Sequence, residues 1–211
     1  MKWIEYFDQI CIINLARRTD RMTFISDMLH DYQIVPFVRV EAHDNAVNPR
    51  KGLVTTMQAI FSSAIGLGYK RIMILEDDAT PLVSKEVFHD TMNSCVEQLP
   101  PNWDLLYLGC NASGGFHKGY FTPNLLEVQL AYATHAVCYS RRAMEFISKR
   151  TINEPVDNYI VREFQPNHVV LCTYPMLMTQ IPGHSDIGGS HCDWSNELEK
   201  RFEQNIQMIP K

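Results

Sequence analysis

Three carboxylates in a row, Glu76, Asp77 and Asp78, follow the apolar run RIMIL (71–75) without a spacer. Like charges so close repel unless something positive stands among them. On an extended chain successive side chains alternate, so Glu76 and Asp78 would face one way and Asp77 the other. Two carboxylates so placed suit a hard divalent cation that keeps several waters and binds substrate phosphates. A solvated acidic turn is the other reading of the same residues. Position favours the ligand site, because α/β sheets bind ligands beyond the carboxyl ends of their strands. A second cluster, Arg17, Arg18 and Arg21, follows the apolar run QICIIN (9–14). Guanidinium groups and the free amides of a helix start both favour phosphate oxygens. Surface pairing with Asp20 or Asp27 is the alternative.

The elements that must carry these groups alternate in type. Residues 9–14 read as a buried strand. A helix is expected from Thr19, as N-cap, to about His30, with Met22, Ile25 and Leu29 inward. Residues 34–40 read as a strand in which Pro36 marks an edge or a bend. A helix over 53–67 closes at Gly66 and Gly68, and a strand over 71–75 follows. Further helices are expected over 84–99, 141–149, 156–164 and 196–206. The last has Ser195 as its cap and Leu198, Phe202 and Ile206 inward. Further strands are expected over 103–108, 127–133, 136–139 and 169–173. Alternation of this kind predicts an α/β architecture with a mainly parallel central sheet.

The chain has 211 residues, enough for one well-filled core, so a single domain over 1–211 is expected. Its 19 Lys plus Arg against 24 Asp plus Glu leave a formal net charge of −5, which gives no general attraction for nucleic acid. No apolar run reaches the roughly 18–20 residues of a spanning helix. The first residues do not read as a signal peptide. The six cysteines lack CxxC spacing and read as reduced thiols, most of them buried. A cytoplasmic location is expected, with at most peripheral membrane association.

Several segments, taken in order, resemble glycosyltransferase family 25, the group that includes bacterial lipopolysaccharide and collagen galactosyltransferases. They are INLARRTDR, KGLVTTMQAIFSSAIGLGYKRIMILEDDA, WDLLYLG, AYATHAVCYSRRAMEFI, PVDNYI and YPMLMTQIPGHSDI. The resemblance covers nearly the whole chain. It implies a GT-A fold, a Rossmann-like nucleotide-sugar domain. It also implies a divalent cation, Mn²⁺ or Mg²⁺, and an inverting transfer from a UDP-sugar. Galactose is the first expectation for the sugar and glucose the second. The acceptor would be a glycan or glycolipid such as a lipopolysaccharide oligosaccharide. Residues 1–110 would form the nucleotide-sugar half and 111–211 the acceptor and catalytic half. Asn14, Leu15, Arg17 and Arg21 would line the nucleotide pocket. Asp78 would touch the metal, with Glu76 beside it, and Glu76 or Asp77 would lie nearer the ribose. After Gly52 the family often has a Ser-His pair, where this chain has Thr55, Thr56 and Met57.

Inverting transfer needs a base for the acceptor hydroxyl. Asp157, in the PVD segment, is the first choice, and its other reading is a helix cap. Asp186, in HSDI, is the second. Asp104 reads as structural. The resemblance also implies a histidine that completes the metal shell, His184 or His191, with His184 preferred beside the SDI match. His135 reads as a core residue. The loop Asn111–Gly119 is expected to shape the sugar or acceptor pocket, with Asn111 and Ser113 toward hexose hydroxyls. A binding module of the same fold that has lost turnover is the alternative function.

Overall fold

The computed structural model describes residues 2–113, 119–186, 189–193, 195–207 and 209. Its elements run, in chain order, α1 (Trp3–Tyr6), β1 (Gln9–Asn14), α2 (Thr19–Asp31), β2 (Val38–Glu41), α3 (Pro49–Gly66), β3 (Arg71–Glu76), β4 (Ala79–Pro81) and α4 (Lys85–Gln98). There follow β5 (Trp103–Tyr107), β6 (Asn111–Ala112), β7 (Tyr120–Thr122), β8 (Leu125–Glu127), β9 (Ala131–Tyr132), β10 (Ala136–Ser140), α5 (Arg141–Ser148) and α6 (Val156–Tyr159). Last come β11 (Val169–Thr173), β12 (Met178–Gln180), β13 (Gly183–Ser185), β14 (Ser190–Cys192) and α7 (Ser195–Gln207).

Among the described residues one large sheet has the order β2-β1-β3-β10-β5-β11-β8-β7. β1 pairs in parallel with β2 and β3, and β5 with β11. β10 lies antiparallel between β3 and β5, and β8 lies antiparallel to β11. β1, β2, β3, β5 and β11 therefore share one direction, and the sheet is mainly parallel with β10 and β8 reversed within it. The reversal of β10 matters for the site. It brings the residues that precede β10, Thr134 and His135, to the edge where β1 and β3 end.

Both faces of the sheet are covered. Alternation along β1 sends Ile10 and Ile12 to one side with Met73, Leu75, Ile25, Leu29, Phe88 and Trp3. Cys11 and Ile13 go to the other side with Ile72, Ile74, Met57, Phe61, Met144 and Phe164. The near-continuous apolar strands are explained by this double burial.

Several boundaries differ from the sequence expectation. Arg18, not Thr19, occupies the N-cap position of α2, without a side-chain cap bond. The expected strand over 34–40 narrows to β2 at the sheet edge, after a cis Val35–Pro36 bond; proline has no N–H to give a ladder, so pairing begins beyond it. α3 starts earlier than expected, at Pro49, because the Asn48 side chain accepts a hydrogen bond from the Lys51 amide at 3.1 Å. The expected strand over 127–133 divides into β8 and β9, with Leu130 and Ala133 at φ 56 and 71. The expected helix over 156–164 is α-helical only through Tyr159, and a wider π-type turn follows over Ile160–Phe164. In α7, Leu198 and Phe202 are buried and Ile206 packs against the core.

Candidate functional site

Parallel pairing sets Ile13 beside Glu76, so β1 and β3 end next to each other. The arginine cluster and the carboxylate triplet therefore meet at one edge of the sheet. Asn14 closes β1 and is buried, 1% exposed. Its amide donates to Asp77 Oδ2 at 2.7 Å and to the Arg18 carbonyl at 2.9 Å, and its Oδ1 accepts from Arg39 Nε at 3.0 Å. The pocket-lining role expected for Asn14 is thus replaced by positioning: its polar atoms are spent on the protein, and it fixes both clusters relative to each other.

Arg21 answers the repulsion within the triplet. It extends from α2, largely buried, and its Nη1 donates to Asp77 Oδ1 at 3.0 Å and to Asp78 Oδ2 at 2.9 Å. Gln180, on β12, donates to Asp78 Oδ1 at 3.2 Å. Glu76 stands apart and accepts from Thr134 Oγ1 at 2.8 Å. The alternation expected over Glu76, Asp77 and Asp78 does not hold, because β3 ends at Glu76 and the two aspartates lie in the turn that follows. Burial, reinforced by the Asp78 charge, pushes the Glu76 carboxyl up to about 8. Burial also raises Asp77, against the opposing bonds from Asn14 and Arg21.

These side chains border two connected clefts. The first, about 140 Å³, is lined by Leu15, Arg17, Arg21, Asp77, Asp78 and Asp186, among others. The second, about 380 Å³, is lined by Asn111, Tyr132, Thr134, Asp157 and Asn158, among others. Leu53, Glu76, Gln180 and Ser185 line both, so Glu76 stands at the junction. Two glycines permit this arrangement. A side chain on Gly52 would collide with the His43 carbonyl, and one on Gly109 with the Met178 carbonyl. Close packing of α3 on the 42–45 segment and of β12 on the end of β5 therefore requires glycine. Thr56 completes the first of these contacts by accepting from the His43 amide at 2.8 Å.

The two candidate bases have different surroundings. Asp186 accepts from Arg17 Nη2 and Arg18 Nη1, each at 2.7 Å. Burial pushes its carboxyl up, but the Arg18 and Arg17 hydrogen bonds outweigh that and hold it below the ordinary carboxylate range. Arg17 also bonds Asp44. Asp157 does not cap α6; Pro155 holds the cap position, and the Asp157 carboxylate accepts from the adjacent Asn158 amide at 2.9 Å on the wall of the second cleft. Asp104 is structural, fully buried and bonded to Arg142 and to the Val169 amide.

His184 and His191 face each other across the β13–β14 hairpin, and both are exposed. It is the His184 carbonyl, not its imidazole, that reaches inward, accepting from Arg21 Nη2 at 2.9 Å. The ligand role expected for His184 thus gains no support from its placement: a strand side chain on an exposed hairpin points to solvent while its backbone faces the arginine. His135 is buried as expected, with Nε2 3.3 Å from the Met178 carbonyl. Asn111 lines the second cleft and Ser113 is exposed, while residues 114–118 of that loop lie outside the described residues.

Among the described residues no three His, Cys, Asp or Glu side chains gather into a metal cage. The donor set still fits a hard cation. Sites for Mg²⁺-like ions use one or two carboxylates and take the remaining ligands from water and substrate phosphates. Asp78 and Glu76 offer such oxygens at the cleft, and the guanidinium already seated between Asp77 and Asp78 shows that positive charge is accommodated there. Sequence reasoning missed Gln180, Thr134, Asp44 and His43, all at the clefts. The first two stand on reversed or late elements that only the folded topology brings to this edge.

No protein-family profile matches the sequence, and a search of curated proteins finds no match. Solved structures do match. One is a glycosyltransferase involved in the glycosylation of the major capsid of PBCV-1, 14% identical, at a TM-score of 0.50 over 93% of this chain and 99% of that one. Another is A197 from STIV, 11% identical, at a TM-score of 0.51 over 87% and 91%. The fold is GT-A, a mixed α/β architecture around a large, mainly parallel sheet.

Proposed function

We propose that the protein is a nucleotide-sugar-dependent glycosyltransferase, similar to family 25, that moves a hexose from a UDP-sugar to a glycan with inversion. Galactose is the first choice of sugar and glucose the second. A cytoplasmic location belongs to the same proposal. The observation that carries it is the meeting of Arg17 and Arg21 with Glu76, Asp77 and Asp78 around one cleft that adjoins a second. The first cleft suits a diphosphate and the second an acceptor.

In the transfer, the acceptor oxygen forms its bond to the anomeric carbon as the bond to the diphosphate oxygen breaks. Negative charge grows on the departing diphosphate. Arg17 and Asp186 line the cleft, Arg17 and Arg18 both hold Asp186, and exchanging that carboxylate for phosphate oxygens would put both charges on the leaving group. Mn²⁺ or Mg²⁺, held by Asp78 and Glu76, would supply Lewis-acid neutralisation of the same charge. The acceptor proton passes to Asp157, whose carboxylate borders the second cleft without an arginine partner on it among the described contacts. A base of this kind contributes roughly 10²- to 10⁴-fold in rate. Asp186 suits that task less, since two guanidinium groups lower its basicity.

A thermal-shift panel of nucleotides and nucleotide-sugars, with and without Mn²⁺, tests the reading. A true donor at a hundredfold excess over Kd stabilises by about 2.7 kcal/mol. The expected result is the largest shift with a UDP-hexose plus Mn²⁺. No shift with any uridine compound would overturn it.

A further inference from the structure

Beyond the second cleft lies a third, open cleft of about 450 Å³, lined by Leu130, Tyr132, Glu154, Asn158, Arg162 and Pro166, among others. Tyr132 and Asn158 line both, so the second and third clefts adjoin, along a path of neighbouring clefts that begins at the carboxylate triplet. Both the second and the third have the size of a small-molecule site, roughly 300–1,000 Å³.

The wall between them is deliberately held. Gln165 is buried and clamps Ala131 from both sides, accepting from its amide at 3.0 Å and donating to its carbonyl at 2.7 Å. On either side of β9, Leu130 and Ala133 adopt φ 56 and 71, a conformation that residues with a side chain rarely take. Leu130 is also 41% exposed, so this leucine is strained without being buried. Residues held in this conformation by their surroundings cluster at active sites and ligand clamps. Here it presents Leu130 and Tyr132 along the path.

The polar side of the third cleft is an ion pair. Arg162 donates to Glu154 at 3.0 and 2.6 Å and to Glu163 at 2.8 Å. The charged groups on the lining, Arg162 and Glu154, balance each other, and the guanidinium is committed to its neighbours. A phosphate, uronate or sialate would find no uncommitted cation on this lining. An apolar platform beside amide and carboxylate acceptors matches a neutral pyranose, which has a C–H face and a rim of hydroxyls.

We propose that the acceptor is a neutral oligosaccharide of at least two residues. Its terminal sugar sits in the second cleft and the next sugar in the third, across Tyr132 and Asn158. The proposal rests on the glycosyltransferase reading for the meaning of the second cleft, but its test needs no donor. The fluorescently labelled full chain is applied to an array of neutral mono-, di- and trisaccharides, with phosphorylated and sialylated counterparts. The expected result is binding to neutral di- or trisaccharides, at least about tenfold tighter than to their terminal monosaccharides. Tyr132→Ala and, separately, Asn158→Ala should each weaken that binding roughly tenfold. Circular dichroism and the donor-induced thermal shift should be unchanged for both. Absence of glycan binding, equal binding of monosaccharides, preference for the acidic glycans, or insensitivity to both substitutions would each overturn the proposal. Failure of every uridine compound to shift the melting temperature would instead overturn the donor reading and leave the array result standing.

Discussion

Arg21 carries two carboxylates and a carbonyl on one buried guanidinium, and its side chain is 10% exposed, as is that of Asp77. Removing one partner of a buried ion pair costs about 3–5 kcal/mol, because the other charge is left uncompensated. Arg21→Ala should therefore destabilise the protein by that amount, measured by urea unfolding without ligand. Mn²⁺ should recover part of the loss by replacing the missing charge. Glu76 gives a pH signature of opposite character. Its folded pKa of about 8 lies above the ordinary glutamate value of about 4.3. Between those values the folded state holds the proton more than the unfolded state does, so stability falls as pH rises through the window. Glu76→Gln should flatten the decline, and melting temperatures from pH 5 to 9 in EDTA measure it. The charged members of this site were legible because three carboxylates and three arginines each follow an apolar strand. Gln180 and Thr134 were not, because neutral polar residues are common and acquire meaning only beside Asp78 and Glu76.

At the scale of elements, α2 and the β13–β14 hairpin are joined through Asp186, Arg17, Arg18 and the His184 carbonyl. Asp186→Ala should free the hairpin. Protease cleavage within 183–192 should quicken, and the donor KM should change while the melting temperature of the core holds. In the natural chain diphosphate should likewise quicken cleavage there, because it would displace Asp186 from the two arginines. Strands such as β1, β3, β5 and β11 were readable because burial on both faces leaves unbroken apolar runs. The division of β8 from β9 was not, since the left-handed Leu130 and Ala133 carry no glycine to announce the turns.

Across the whole molecule, Asp104 joins three distant pieces. It sits fully buried on β5, holds Arg142 at the start of α5, and accepts from the first amide of β11 at 2.9 Å. Arg142→Ala should cost roughly 1.5–3 kcal/mol, the range for hydrogen bonds to charged groups. The melting temperature should fall while the relative donor shift persists, since this pair lies away from both clefts. The α/β class and the mainly parallel sheet were legible from alternation alone. The insertion of β10 against its neighbours was not, because strand direction leaves no mark on hydrophobic period.

The bonds that close the first cleft join segments far apart in the chain: Arg21 to His184 is separated by 163 positions, and Arg17 to Asp186 by 169. On the ribosome, Arg17, Arg18 and Arg21 emerge more than 160 residues before the segment that ties them down. A nascent chain can thus bury β1 and β3 against their helices long before its first cleft acquires a wall. A product released prematurely near residue 180 would keep most of its interior and lack that closure.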